Sequence, residues 1–242
     1  LLVALSVAAW SRPGKPITLS ENILRSFIYS SIDDGKTWSN YAKFPDHCPE
    51  PHLLELPSGK ILASVRYQRR KVAEDPPNLA GCFWDEPSLR HIWEDLSLRN
   101  NKDPTAIGLK VFQHTALTSS NDGGRTWTTP RLLTGTLAQT GCLVRLSDGT
   151  IVLTFGRWGQ KFMLSYDEGK TWSKRVYSLN GTGEYARSVV LADDTIVTVH
   201  DGVDEGESRR LCILRWKTPP REEVEKHGFC MPREVETGGN GL

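Results

Sequence analysis

Apolar and polar positions alternate over short stretches, and the stretches come in pairs. Leu53-Leu54-Glu55-Leu56-Pro57-Ser58-Gly59-Lys60-Ile61-Leu62-Ala63-Ser64-Val65-Arg66 reads as two strands around a polar turn. Leu143 to Phe155, turning at Asp148-Gly149, repeats that pattern, and Val189 to His200, turning at Asp193-Asp194, repeats it again. Each copy is rich in β-branched and aliphatic residues with turn chemistry at its tip, which predicts a β-hairpin. The turn positions 59, 149 and 194 are spaced by 90 and then 45 residues.

A second pattern runs beside the first. Ser31 to Trp38, Ser120 to Trp127 and Ser165 to Trp172 share the form S-x-D-x-G-x-T-W. The Asp carboxylate can accept backbone N–H bonds across a tight turn, Gly supplies a positive φ, and Thr-Trp opens the next strand. The tryptophans 38, 127 and 172 are spaced by 89 and 45 residues. Two independent signals therefore share one period near 45, the spacing expected of four-stranded propeller blades. The octapeptide is the Asp-box, and the chain resembles the sialidase (neuraminidase) superfamily of BNR-repeat β-propellers. The box itself is read as a folding device that marks where the blades are.

The fold class expected is all-β. The resemblance implies a six-bladed β-propeller, of which these 242 residues would supply about 3.5 blades. Residues 1–218 form the partial propeller in this reading and 219–242 a charged, Gly-rich tail. The stretch from Gly59 to Trp127 is 45 residues longer than its counterpart from Gly149 to Trp172. The excess is assigned to an insertion at about 67–110, with a helix-like run from Pro87 to Asn100 and no further hairpin of the repeated type. A long ordered insertion at the end of an inner strand is often a lid over a site. Leu1 to Ala9 reads as a strand of a blade whose beginning is absent, so the missing portion is expected before Leu1.

Composition narrows the partners. Thirty basic and 29 acidic side chains balance, which gives no reason to expect nucleic acid or an anionic membrane surface. No apolar run approaches the roughly 20 residues of a membrane span. The five cysteines, Cys48, Cys82, Cys142, Cys212 and Cys230, are odd in number and widely spaced, and imply neither a disulfide framework nor a zinc site. The six histidines show no metal-ligand spacing, so no metal and no cofactor is expected. His200-Asp201 reads as a hydrogen-bonded strand end rather than a dyad. Phe83, Trp84 and Trp93 read as the insertion's own small core, and Asn180-Gly181-Thr182 matches a glycosylation sequon that chance also produces.

The resemblance implies a chemistry. A sialoside carries a carboxylate on the carbon whose bond breaks. Fixed arginines suit that carboxylate. A neutral Tyr nucleophile avoids the repulsion that an anionic one would meet, and sialidases are the Tyr exception to the usual pair of carboxylates. By position in the repeats, Tyr185 matches the family's nucleophile and Glu50 the carboxylate that polarises it, each standing six residues before the leucine that precedes a turn (Leu191 and Leu56). Glu184 is a rival activator. Arg66 and Arg157 match two arginines of the carboxylate-binding triad. The family's first arginine and its acid/base Asp belong to a blade that these residues lack, so residues 1–242 alone are expected to be inactive. The implied activity is retaining exo-α-sialidase hydrolysis, with a sialylated or related glycan as partner. The alternatives are a non-catalytic propeller that binds glycans or proteins, and a hydrolase of the same fold for another sugar. Arg187 and the pair His200-Asp201 depart from the family's pattern around the Tyr.

Overall fold

A computed structural model describes residues 1–7, 25–68, 113–134, 141–156, 159–173, 175–179, 183, 185–203, 209–227 and 229–230. The expected insertion lies almost wholly outside these residues, as do Arg157, Glu184 and the Asn180 sequon.

Among the described residues, four antiparallel sheets follow one another in chain order. Sheet 1 comprises β1 (Leu2–Val7), β2 (Arg25–Ser30) and β3 (Ser39–Lys43). Sheet 2 comprises β4 (His52–Glu55), β5 (Ile61–Gln68), β6 (Gln113–Ser120) and β7 (Arg131–Leu132). Sheet 3 comprises β8 (Cys142–Arg145), β9 (Ile151–Gly156), β10 (Gln160–Ser165) and β11 (Arg175–Ser178). Sheet 4 comprises β12 (Arg187–Val190), β13 (Ile196–Val203) and β14 (Arg209–Trp216). In each sheet the strands are neighbours in chain order, the meander expected of a propeller blade. A short helix, α1 (Arg221–His227), leads to β15 (Phe229–Cys230), which pairs with β11 as a fifth strand of sheet 3. Part of the expected tail is thus docked on that sheet, and the Tyr177 hydroxyl donates to the Glu223 carbonyl at 2.5 Å.

The three Asp-boxes are built alike. In each, the Ser hydroxyl donates to the Asp and accepts the Gly N–H, at 2.8 Å in the first two boxes and 2.9 Å in the third. The Thr hydroxyl and amide both donate to the same carboxylate. These donors hold Asp33 down at about 2, the Thr37 hydroxyl contributing most. The turn needs consecutive left-handed residues, Asp34 at φ 57 with Gly35 at 84, and Glu168 at 59 with Gly169 at 81. The indoles of Trp38 and Trp127 each close the turn on a Gly carbonyl at 3.0 Å. Trp172 instead packs on the core between sheets 2 and 3, and its indole N–H is buried without a partner.

The boxes connect β2 to β3, β6 to β7 and β10 to β11. By this alignment β1 is the counterpart of β5 and β9, the second strand of a blade. The sheets pack face to face in chain order. Ile28 and Phe44 meet Val65 and Ala116 between sheets 1 and 2. Leu62 and Leu117 meet Leu143 and Leu153 between sheets 2 and 3. Phe162 and Leu164 meet Ile196 and Trp216 between sheets 3 and 4. β9 and β10 are buried along their whole length because apolar sheets cover both their faces. The first strands β4, β8 and β12 lie against one another in sequence.

That packing fixes two edges. His52 reaches Cys142 and Leu143, and the Ser188 amide reaches Cys142, so β4, β8 and β12 all begin at one edge. At the opposite edge the turn residues meet, with the Ser147 amide and hydroxyl both donating to the Asp194 carboxylate at 2.9 and 2.6 Å. Second strands run antiparallel to first ones, so β5, β9 and β13 end where β4, β8 and β12 begin. No helix among the described residues is long and apolar enough to cross a membrane.

Candidate functional site

The edge where first strands begin and second strands end collects most of the residues singled out above. Glu50 precedes β4, Arg66 lies near the end of β5, and Tyr185 precedes β12. Glu50 and Arg66 are brought together. The Arg66 guanidinium donates from Nη1 to Glu50 Oε1 at 2.7 Å, with side chains only 14 % and 28 % exposed. The Arg66 amide donates to the Pro49 carbonyl at 3.0 Å, tying the second strand to the loop that carries Glu50. Arg66 Nε is buried and has no protein partner. The part of the Arg66 guanidinium that stays exposed, 14 % of the side chain, is where a further acceptor could reach it, and a planar carboxylate suits a guanidinium fork.

Glu50 is anchored from a third side. Its amide donates to Ser6 Oγ at 2.7 Å, Ser6 and Ser26 share a 2.9 Å hydroxyl contact, and Ser26 donates to the Cys48 carbonyl at 2.8 Å. Ser6 lies opposite Ser26 as Arg66 lies opposite Thr115, so it is the sheet 1 counterpart of Arg66. Sheet 1 thereby supports the carboxylate of sheet 2.

Tyr185 holds the same blade position as Glu50 and the same rare backbone conformation, φ 51 against 55. Left-handed geometry at a non-glycine residue costs free energy and clusters at functional sites. The Tyr185 side chain is 47 % exposed, open to a ligand at this edge. The segment that delivers it is tightly fitted. A Cβ on Gly183 (φ 93) would lie 1.8 Å from the Asp201 carbonyl, so only glycine fits there. The Gly159 amide donates to the Gly183 carbonyl at 3.0 Å, which joins the β9–β10 connection to the same segment. Arg157 belongs to that connection and lies outside the described residues. His200 lies within β13, which runs on to Val203 rather than ending there as expected, and its Nδ1–H donates to the Asp201 carbonyl at 2.6 Å.

Just inside this edge is a group that the sequence reading passed over. His52, Cys142 and Arg187 open the first strands of sheets 2, 3 and 4, each four residues before Leu56, Leu146 and Leu191. The Leu143 amide donates to His52 Nδ1 at 3.2 Å, which leaves Nε2–H to face the Cys142 sulfur at 3.4 Å. The thiol also takes the Ser188 amide at 3.2 Å. Burial, reinforced by the Arg187 charge, pulls His52 down to about 4, so its imidazole is neutral at pH 7. Burial raises the Cys142 thiol and pushes that of Cys48 up to about 12. Neither cysteine is a ready nucleophile. The equal offset from the turn leucines was the signal that could have found this layer. Among the described residues, no group of three His, Cys, Asp or Glu side chains could hold a metal ion.

No family model matches the chain, and no curated protein resembles it closely in sequence. Solved structures do resemble it. A protein of unknown function from Dyadobacter fermentans DSM 18053 is similar at TM-score 0.53 and 18 % identity, over 88 % of this chain and 57 % of its own. The α-L-arabinanase of Penicillium chrysogenum is similar at TM-score 0.52 and 16 % identity, over 81 % of this chain and 55 % of its own. Trypanosoma rangeli sialidase is similar at TM-score 0.49 and 15 % identity, over 84 % of this chain and 28 % of its own. The chain therefore spans little more than half the length of the first two. The first two likenesses carry the fold alone: an all-β chain of small antiparallel sheets, of the propeller type that glycosidases use.

Proposed function

We propose that the chain is part of a propeller glycoside hydrolase that acts on an acidic sugar, a terminal α-sialoside in the reading favoured here. Tyr185 is the nucleophile: its phenol oxygen bonds to the anomeric carbon as the glycosidic C–O bond breaks, the phenol proton goes to a general base, the departing oxygen is protonated and leaves as an alcohol, and water then hydrolyses the tyrosyl link with net retention. Arg66 and Arg157 bind the substrate carboxylate. Glu50 holds Arg66 in place and lends its charge to the oxocarbenium-like transition state. The observation that supports this most is the half-buried Glu50–Arg66 pair on the edge where Tyr185 stands exposed.

A second reading, hydrolysis of a neutral sugar on the same fold, is favoured by the likeness to the arabinanase. The two differ in what they ask of Arg66. Full-length protein assayed on fluorogenic α-sialosides and α-L-arabinosides separates them. Turnover of the sialoside, abolished by Arg66→Ala through KM, supports the first reading. Turnover of the arabinoside alone, indifferent to Arg66, supports the second.

A further inference from the structure

The last strands of sheets 1 and 2, β3 and β7, flank a cleft that the proposed reaction does not use. First strands lie innermost, against one another, so this cleft opens on the outer wall. Its volume is about 430 Å³, within the roughly 300–1,000 Å³ range of small-molecule sites. One wall is the segment from Lys43 to His47, which leaves β3 toward Glu50. The other is Trp127 to Pro130, which leads from the second Asp-box to β7. A smaller cavity of about 250 Å³ shares Trp127 and Thr128 with it and extends to Asn121 of the box.

The lining mixes rings with exposed polar groups. Phe44 and Trp127 stack at 4.4 Å across the seam, and Trp127 is partly exposed. Thr129 is exposed on the same wall as Trp127. Facing them, Lys43 Nζ stands 2.8 Å from Asp46 Oδ1, with side chains 49 % and 46 % exposed. Among the described residues that pair holds the only Lys, Arg, Asp or Glu side chains of the larger cleft, and their charges cancel. An anionic ligand would meet Asp46 as well as Lys43, and a cationic one the reverse. A neutral sugar suits both. Each ring has apolar C–H faces and a rim of hydroxyls, and an ammonium beside a carboxylate offers a donor and an acceptor to two adjacent hydroxyls through charge-assisted hydrogen bonds. A Pro-rich peptide would use the rings, but its prolines have no N–H for Asp46. His47, on the same wall, holds the left-handed conformation at φ 65, a strain that clusters where ligands bind.

We propose that this cleft binds a neutral oligosaccharide at a site separate from the candidate catalytic edge. The Lys43–Asp46 pair takes two adjacent hydroxyls, and the exposed part of Trp127 covers a C–H face. Such a site holds the protein on carbohydrate without taking part in bond cleavage, and it does not rest on the role of Tyr185.

Titration calorimetry and saturation-transfer NMR on the full-length protein test it, with cellotetraose, xylotetraose, arabinotetraose and galactotetraose as probes. At least one should bind. Lys43→Ala with Asp46→Ala leaves the net charge unchanged and should weaken that binding by at least about tenfold. Thr129→Trp, at an exposed position, should fill the cleft and weaken it as much. Lys217→Ala with Asp193→Ala removes another exposed Lys–Asp pair, 3.5 Å apart at the opposite edge, and should bind as wild type does. Arg66→Ala should do so too. Each variant is checked for native circular dichroism, and either cleft variant alone suffices if the other fails to fold. Binding of none of the probes, equal binding by wild type and the cleft variants, or loss confined to Arg66→Ala would overturn the proposal. So would a decaproline peptide whose binding Thr129→Trp abolishes while no sugar binds.

Discussion

His52 makes stability depend on pH in a window that can be named. Its imidazole is buried between β4 and β8, accepts the Leu143 amide and lies beside the Arg187 charge. Burial first, and that charge second, lower it from 6.5 to about 4. The unfolded chain therefore binds a proton between those values that the folded chain does not, and stability rises with pH across the window. Full stability is present above 6.5, is lost progressively as pH falls to about 4, and loses nothing further from this group below that. At 1.36 kcal/mol per pH unit the loss is about 3 kcal/mol. Urea titrations at pH 7.5, 6.5, 5.5 and 4.5 on wild type and His52→Asn measure it, because the Asn amide oxygen can stand in for Nδ1 toward Leu143 and carries no proton. The variant should be the less stable at pH 7.5 and should close most of that gap by pH 4.5. The box carboxylates do not confuse the result, since Asp33 titrates near 2, below the window. Parallel curves for the two proteins across the four pH values would refute the reasoning.

Other expectations concern the frame of the site. Ser165→Ala leaves the buried Gly169 amide without its 2.9 Å acceptor and should cost about 1–3 kcal/mol in chemical denaturation. Trp127→Ala removes a ring stacked on Phe44 at 4.4 Å and opens the seam between sheets 1 and 2, costing about 3 kcal/mol by the same assay. Gly183→Ala meets both a positive φ and the Asp201 carbonyl, so it should lower thermal stability by about 1–3 kcal/mol and depress kcat through the displaced Tyr185. Ser6→Ala removes the acceptor of the Glu50 amide and should weaken substrate binding through Arg66 while leaving the melting temperature within about 2 °C.

Much of the fold was legible because it repeats. The hairpins at 53–66, 143–155 and 189–200 and the boxes at 31–38, 120–127 and 165–172 lie on β-strands and turns where a shared period put them. Turn chemistry is local, so Asp, Gly and Thr at fixed offsets specify it without reference to the rest of the chain. The strand pairing of 229–230 with β11 was not legible, because a two-residue strand carries no periodic signal. Of the candidate site, counting six residues back from Leu56 and Leu191 singled out Glu50 and Tyr185, and the end of a second strand singled out Arg66, and the structure places all three at one edge. What counting could not show is which side chain meets which. Glu50 engages Arg66 within one sheet, because cross-strand neighbours on one face lie about 5 Å apart. His52, Cys142 and Arg187 were hidden for a related reason: residues of unlike chemistry at one register position share a neighbourhood only after the sheets are packed.

The central claim is that the phenol at the head of β12 attacks the sugar. It is tested most directly by steady-state hydrolysis of a fluorogenic α-sialoside by the full-length protein and its Tyr185→Phe variant, each checked for native circular dichroism. The account predicts a fall in kcat of at least about 10³-fold with little change in KM. Equal kcat values for the two proteins would contradict it.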